Sequence, residues 1–126
     1  MSVSTNKEPA AIGPYSGFRR SGRLLITSGQ LPLNPNTNHI EAEGIHDQVL
    51  QCLENIRCIL QGEQMDFSNV LKLTVYMTDL TAFSQVNHAF MESIARPYPA
   101  RTAVQISALP LGANVEIEAI ALDGQS

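Results

Sequence analysis

The stretch Pro99–Leu122, PARTAVQISALPLGANVEIEAIAL, decides the fold, because it holds two apolar runs on either side of a Leu-Pro-Leu-Gly turn. Each run has the length and composition of a β-strand. Yet Arg101 opens the first run, and Glu116 and Glu118 lie in the second. Strand alternation places both acids on the same side as two large apolar residues, so they need an exposed strand edge or a partner.

The charged residues of this stretch allow two interpretations. In the first, the second run is an edge strand whose acids face water. In the second, the stretch is a site where Arg101 binds an anion while a carboxylate transfers a proton or positions a water molecule. A guanidinium group matches a carboxylate with two parallel hydrogen bonds, so an arginine after a rigid Pro-Ala segment suits an acidic substrate.

The geometry of a direct hairpin separates these groups. If residues 101–108 pair with residues 114–122, Arg101 lies opposite Ala121. Glu116 is then on the order of 16 Å away, at about 3.3 Å per residue. A site that joins Arg101 and Glu116 therefore requires either divergent strands or a neighbouring subunit.

The periodicity of apolar residues predicts the remaining elements. They are a β-hairpin with arms Gly17–Arg20 and Leu24–Ser28, a loop from Gln30 to Gly44 with a short strand near His39–Glu41, a helix from Ile45 to about Gln61, a strand from Val70 to Thr78, and a helix from Leu80 to about Ala95. This order is typical of an α+β layer with both helices on one face of a single sheet. The other sheet face, which includes Lys72, Thr74 and Tyr76, permits an oligomer surface.

Apolar stripes define the buried faces of these elements. The predicted stripes are Val49, Leu53, Ile56 and Leu60 in the first helix, Leu71, Leu73, Val75 and Met77 in the strand, and Phe83, Val86, Phe90 and Ile94 in the second helix. Gln48 and Cys58 lie away from the first stripe. Asp79 or Thr81 is predicted to cap the second helix.

Two positions do not follow the simple pattern. Asn87 falls beside the second apolar stripe, so its amide is either hydrogen-bonded within the fold, which we favour, or held at the edge of a site. Gly29 ends the strand before it and lets the backbone approach another group closely.

Composition bounds the class of protein. The chain has 126 residues and is predicted to form a single domain, 1–126, in which residues 1–12 are a loose N-terminal lead-in. A net charge of −4 gives no general attraction for nucleic acids or anionic membranes, although Arg19, Arg20 and Arg23 cluster.

The N-terminal sequence resembles no signal peptide, and no apolar run approaches the length of about 20 residues that spans a membrane. We therefore expect a cytoplasmic protein. Only 16% of residues are charged, which favours surface buried by partner subunits.

Other chemistry has little support in the sequence. Cys52 and Cys58 point to different sides of one helix and are predicted to be free thiols. His39, His46 and His88 fit no metal-binding spacing, and Ser16 and Ser28 lack the arrangement of a hydrolase triad. Glycine-rich nucleotide motifs are absent. We therefore expect no metal and no cofactor.

Five motifs carry a family resemblance, in order along the chain. They are GPYS (Gly13–Ser16), TSGQLPLNP (Thr27–Pro35), VYMTDLTAFSQVN (Val75–Asn87), PART (Pro99–Thr102) and VEIEAIA (Val115–Ala121). With them the chain resembles the RidA family of reactive-intermediate deaminases, also called YjgF or UK114. The match is collinear from about residue 8 to residue 122, and the combination is highly specific.

The resemblance implies a chorismate-mutase-like α+β fold and a homotrimer with three clefts between subunits. It also implies hydrolysis of enamines and imines, such as 2-aminoacrylate released by PLP enzymes, to 2-keto acids and ammonia. This is the 2-iminobutanoate/2-iminopropanoate deaminase type of reaction. The ligand would be a small carboxylate-bearing imine or keto acid, with no cofactor, nucleic acid or membrane involved.

The resemblance also assigns roles to residues. Arg101 would bind the substrate carboxylate, and Glu116 would position the attacking water. Tyr15, Ser28 and the backbone around Gly29 and Ala103 would line the pocket. Glu118 remains a structural or supporting acid beside Glu116. The pattern alone does not choose between the two acids.

Three departures from the family pattern affect the expected substrate range more than the reaction type. Gly17-Phe18 follows Ser16 where many members have Gln-Ala, Ser93 and Ile94 replace two aromatic residues, and Ala103 replaces a cysteine.

Two alternative functions stay open: a ligand-sensing or chaperone-like protein that uses the same clefts without turnover, and an endoribonuclease. The acidic balance and the few aromatic residues disfavour the endoribonuclease.

Overall fold

A computed structural model describes residues 8–124 of the protein. This part of the chain forms five strands, two α-helices and short 3-10 turns. The elements are β1 (Phe18–Ser21), β2 (Leu24–Thr27), α1 (Ile45–Gly62), β3 (Val70–Met77), α2 (Phe83–Ser93), β4 (Ala100–Gln105) and β5 (Val115–Leu122). The predicted hairpin, both helices and the strand before α2 are confirmed.

The five strands form one mixed sheet in the order β1-β2-β5-β3-β4. The strands β3 and β4 are parallel and are joined by the crossover helix α2, whereas the other neighbours are antiparallel. The strands β4 and β5 do not pair in the direct hairpin whose register was considered above, because β3 lies between them. Their connection instead passes the end of β3, where Ile106 N donates to the Met77 carbonyl and Thr78 N donates to the Asn114 carbonyl.

Both helices pack on one face of this sheet, as predicted. Alternate residues of β5 and β3 point into the core between the layers, which also takes the apolar stripe of α1 and, from the α2 stripe, Val86, Phe90 and Ile94. Phe83, predicted as part of that stripe, is instead 38% exposed. The opposite, open face of the sheet carries an apolar patch of Leu24, Ile26 and Ile120, of which Ile26 is 46% exposed. Lys72, Thr74 and Tyr76 lie on this same open face.

Helix α1 is buried on more sides than its apolar stripe indicates. Gln48, Asn55 and Cys58 are also buried. Asn55 Nδ2 donates to the carbonyls of Leu31 and Leu33, so the loop before α1 covers this flank of the helix. The prediction that the apolar stripe defines the buried face of α1 is therefore wrong, because buried loop carbonyls need donors and the amide side chains of α1 supply them.

Smaller differences have local causes. Leu71 is 55% exposed and Val70 takes the buried position, because the β3–β5 register shifts between Val70 and Lys72. The short strand expected near His39–Glu41 is an isolated bridge between Leu33 and Ile40. Asp79 accepts from Thr81 N, as expected for a cap, but the first turn is a 3-10 helix (Leu80–Ala82).

The lead-in predicted for residues 1–12 falls partly outside the described residues, which begin at Glu8. Between Glu8 and Ile12 the chain has neither helix nor strand. Pro9 to Ile12 nevertheless line a small pocket together with Tyr15 and Gly29. This part of the lead-in thus contributes a wall to one of the predicted site regions.

Candidate active site

Arg101 lies on β4 with its guanidinium group against α2. Its Cζ is 4.8 Å from the centroid of the Phe83 ring and 5.1 Å from that of Phe90. Cation–π contact holds the cation in place without neutralising it. Partial burial lowers the pKa of Arg101, and no carboxylate of residues 8–124 lies within 4.0 Å of it. A positioned guanidinium group without an acidic partner is suited to bind an anionic ligand.

A groove of about 460 Å³ opens beside this guanidinium group. Its lining residues are Asn87, Phe90, Met91, Tyr98, Pro99 and Arg101. Asn87, which we favoured as a structural amide, is half-buried and faces this groove. Ala103 lies two residues beyond Arg101 on the same side of β4 and packs against the main core. The groove is therefore mainly apolar, with one cation and one amide.

Glu116 lies on β5, on the open face of the sheet, with its carboxyl group against the backbone of Gly29. A Cβ atom built on Gly29 would be 2.6 Å from Glu116 Cδ and 2.7 Å from Oε2. Any side chain at position 29 would displace the carboxyl group. The close approach expected at Gly29 is thus an approach to the predicted catalytic acid.

A local irregularity between β2 and β5 brings Gly29 to this position. Ile26 pairs with Ile120, but Gln30 pairs with Ile117, so one extra residue is accommodated on the β2 side. The Thr27 hydroxyl accepts a hydrogen bond from Ala119 N at 3.0 Å and satisfies the backbone donor there. Bulges of this kind commonly redirect the chain beside functional sites.

Ser28 and Tyr15 border the same region. Ser28 Oγ donates to the Ser16 carbonyl at 2.6 Å, and Ser28 N donates to the Gly17 carbonyl at 2.9 Å. Tyr15 is half exposed, and its hydroxyl accepts a hydrogen bond from Ile12 N at 3.5 Å. Gly17, one of the departures from the family pattern, lines the pocket between Tyr15 and Gly29.

The electrostatic environment distinguishes the two acids of β5. Burial raises the pKa of the Glu116 carboxyl group above its ordinary value, and the nearby Glu118 carboxylate adds to this rise. Glu118 instead accepts a hydrogen bond from the Tyr76 hydroxyl at 3.3 Å, and burial together with Glu118 raises the pKa of Tyr76. A carboxylate with a raised pKa is a better proton acceptor, which favours Glu116 over Glu118 as a general base.

The predicted site residues fall into two groups on opposite faces of the sheet. Arg101 pairs with Leu73, which is fully buried against the helices, whereas Glu116 pairs with Tyr76 on the open face. The strand β3 lies between them. Divergence of β4 and β5 was expected as one way to join the two groups in a single chain, but the insertion of β3 separates them instead. Within one chain, Arg101 and Glu116 therefore lie on opposite faces of the sheet.

We call these two groups the cation half-site and the acid half-site. The cation half-site is Arg101 with its groove on the helix side, and the acid half-site is Tyr15, Ser28, Gly29 and Glu116 on the open side. The sequence argument did not identify Phe83, Phe90 and Tyr76 as site residues. The spacing of Phe83, Asn87 and Phe90 places them on one helix face and was the available signal.

Burial makes the two cysteines poor candidates for nucleophiles. Both are buried free thiols, as predicted. Burial raises the pKa of the Cys52 thiol, and burial together with Glu54 raises the pKa of Cys58 to about 11. Both thiols are therefore protonated near neutral pH.

No helix in the described part of the chain combines the length and apolarity needed to cross a membrane.

Comparison with known proteins supports the resemblance over nearly the whole chain. The family model described as Endoribonuclease L-PSP matches residues 5–123. The 2-iminobutanoate/2-iminopropanoate deaminase of Bos taurus is 43% identical over 122 residues, which cover 97% of this chain and 89% of the relative.

Two solved structures show the same fold. RidA from an Antarctic Psychrobacter species has a TM-score of 0.89 at 40% identity and covers 97% of this chain and 98% of its own. TdcF of E. coli, solved with bound serine, has a TM-score of 0.87 at 37% identity, with coverage of 97% and 98%. From its sequence and its fold, the chain belongs to the RidA/YjgF family, also described as Endoribonuclease L-PSP, in which relatives are named imine deaminases.

Proposed function

We propose that this protein hydrolyses reactive enamines and imines derived from amino acids to 2-keto acids and ammonia, as a 2-iminobutanoate/2-iminopropanoate deaminase. The observation that carries the proposal is the Arg101 guanidinium group, which is held over two aromatic rings with no carboxylate partner among residues 8–124. The names of the relatives and the amino acid bound to TdcF agree with a small carboxylate-bearing ligand.

The active unit in this proposal is a homotrimer. Because one chain holds its half-sites on opposite sheet faces, a complete site requires the cation half-site of one subunit and the acid half-site of its neighbour. A head-to-tail contact of this kind closes into a ring of three when each subunit is rotated by one third of a turn relative to the next. The apolar patch of Leu24, Ile26 and Ile120 on the open face is suited to burial in that contact.

The chemistry follows from these roles. Arg101 binds the substrate carboxylate and so fixes the adjacent imine carbon. The imine nitrogen takes up a proton from solvent, and Glu116 accepts a proton from a water molecule as the water oxygen bonds to the imine carbon. Glu116 then returns its proton to the nitrogen of the resulting carbinolamine. The C–N bond breaks to release ammonia, and the hydroxyl group loses its proton to solvent as the C–O bond becomes a carbonyl. An enamine such as 2-aminoacrylate enters after protonation of its terminal carbon gives the imine.

A coupled assay tests this function. A PLP-dependent threonine or serine dehydratase generates the imine, and keto-acid release is followed with and without the purified protein. We expect release faster than spontaneous hydrolysis, in proportion to the amount of protein. If no imine from a series of amino acids is hydrolysed faster, the function is ligand sensing or chaperone-like binding at the same clefts.

An endoribonuclease activity has less support, although the family description contains that name. The cluster Arg19, Arg20 and Arg23 is the main basic candidate. Arg20 forms an ion pair with Asp123 at 2.6 Å, and Arg23 Nε donates to the Asp123 carbonyl at 2.7 Å. With a net charge of −4, these engaged arginines form a poor phosphate-binding surface.

The raised pKa of Glu116 predicts a pH dependence. The carboxylate form is the active base, so kcat/KM falls as the pH drops through the pKa of Glu116, at a higher pH than for an ordinary glutamate. Glu118→Gln removes the second cause of the rise, and we expect the acid limb of the profile to move to lower pH. Burial persists in the variant, so the shift is partial.

Profiles of kcat/KM against pH measure this effect. Glu43→Gln, at an exposed acid on the loop before α1, is the matched control and should leave the limb in place. Because every sample contains the same imine, protonation of the substrate affects all the profiles equally. An unchanged limb in Glu118→Gln, or one displaced to higher pH, would show that Glu118 does not act on the catalytic base.

A further inference from the structure

Two of the three histidines in the chain converge on one carboxylate at the surface of the helix layer. His46 is in the first turn of α1, and His88 and Glu92 are one turn apart on α2. His46 Nε2 is 2.9 Å from Glu92 Oε1, and His88 Nε2 is 3.6 Å from Glu92 Oε2. Spacing along the chain pairs only His88 with Glu92, because His46 comes from another element and joins them only in the fold.

The dimensions of the cluster suit a small transition-metal ion. One ligand atom from each of the three residues lies within 4.8 Å of the others. In a tetrahedral zinc site with bonds of about 2.0–2.1 Å, neighbouring ligand atoms are about 3.4 Å apart. The distances of 2.9 Å and 3.6 Å lie on either side of that value. Small side-chain rotations therefore bring both imidazoles and the carboxylate to bonding distance of one ion.

A fourth residue orients one of the imidazoles. His46 Nδ1 is 3.0 Å from Asp47 Oδ1, on the side of the ring that faces away from Glu92. If Nδ1 carries the proton and donates to Asp47, Nε2 presents its lone pair to the cluster. Metal-binding histidines commonly have such a carboxylate partner, which fixes the ring and its tautomer.

We propose that His46, His88 and Glu92 form a binding site for Zn²⁺, with solvent in the fourth position. Two imidazoles and one carboxylate are ligands that zinc prefers. The His88 side chain is 65% exposed and that of Glu92 is 44% exposed, so an ion has direct access from solvent. The bound ion would join the first turn of α1 to α2. None of its ligands belongs to either half-site, so the site is separate from the proposed imine hydrolysis.

Titration of the chelator-treated protein with ZnCl₂, by calorimetry and by thermal unfolding, tests the site. We expect one ion per chain and a rise in apparent Tm of several degrees at saturation, because the ion binds the folded chain. MgCl₂ at the same concentration should cause no rise, since Mg²⁺ prefers oxygen ligands. EDTA should reverse the effect of zinc.

Variants assign the binding to this cluster. His88→Ala should weaken zinc binding by at least tenfold, and Asp47→Asn by about 10–100-fold through loss of orientation. His39→Ala, at an exposed histidine on the loop before α1, is the matched control and should bind zinc like the unmodified protein. Circular dichroism checks the fold of each variant.

Three results would overturn the proposal. They are the absence of zinc binding to the unmodified protein, an unchanged affinity in His88→Ala, and a loss of binding in His39→Ala. In the first case, His46, His88 and Glu92 form only a hydrogen-bonded contact between α1 and α2. In the other two, the ion binds elsewhere on the chain.

Discussion

Arg101→Ala is expected to lower kcat/KM for imine hydrolysis by about 10²–10³-fold, to near the spontaneous rate. The variant loses a charge-assisted, two-pronged contact with the substrate carboxylate, which is worth about 3–4 kcal/mol. It also loses the group that orients the imine carbon. The guanidinium group is only partly buried and has no carboxylate partner among the described residues, so the change in folding free energy should stay within about 1 kcal/mol.

The measurement is keto-acid release in the dehydratase-coupled assay, with size-exclusion chromatography to verify the oligomer. Arg57→Ala is the matched control, since Arg57 pairs with Glu54 on the surface of α1 and lies in neither half-site. Arg101→Lys keeps the charge but loses the planar fork, and we expect an intermediate rate. Full activity in Arg101→Ala would rule out the proposed carboxylate contact.

Mixed oligomers of Arg101→Ala and Glu116→Gln are expected to recover activity that neither variant has alone. Each variant keeps one intact half-site. In a trimer that contains both kinds of subunit, one of the three clefts combines the intact Arg101 of one subunit with the intact Glu116 of its neighbour. The expected activity is roughly one-third of that of the unmodified trimer, for either subunit ratio.

Co-production of the two variants with different affinity tags and capture on both tags isolates the mixed oligomers. The control mixture combines Arg101→Ala with the double variant Arg101→Ala/Glu116→Gln, which has no intact cation half-site and should be inactive. If Arg101 and Glu116 of a single chain act on one substrate, the test mixture stays inactive as well. That result would refute assembly of the site between subunits.

Local sequence patterns predicted the elements well and their arrangement less well. The 3.6-residue stripe of α1 and the alternation in β3 are local properties that tertiary packing reinforced. The insertion of β3 between β4 and β5 is not local, because strand order depends on the crossover through α2. The burial of Asn55 depends on loop carbonyls that need donors, and periodicity carries no information about them.

The candidate site, like the fold, was predicted only in part from the sequence. The charge pattern of Pro99–Leu122 indicated that Arg101 and an acid of β5 needed explanation, and register counting showed that Arg101 and Glu116 would not be neighbours on a flat hairpin. The choice of Glu116 over Glu118 came from the family resemblance. The structure adds a physical reason, because Glu116 lies against Gly29 in a less solvated position. The aromatic support under Arg101 was missed because Phe83 and Phe90 fit the apolar stripe of α2 and were interpreted as core residues.

The placement of β3 between the two charged strands affects how precisely the proposed catalytic groups are positioned. In an enzyme whose catalytic groups share one chain, backbone stiffness sets the distance between them. Here, in the proposed trimer, that distance is set by how one subunit docks on the next. Substitutions in the apolar patch of Leu24, Ile26 and Ile120 would then tilt whole subunits and alter the reaction, although these side chains touch no substrate.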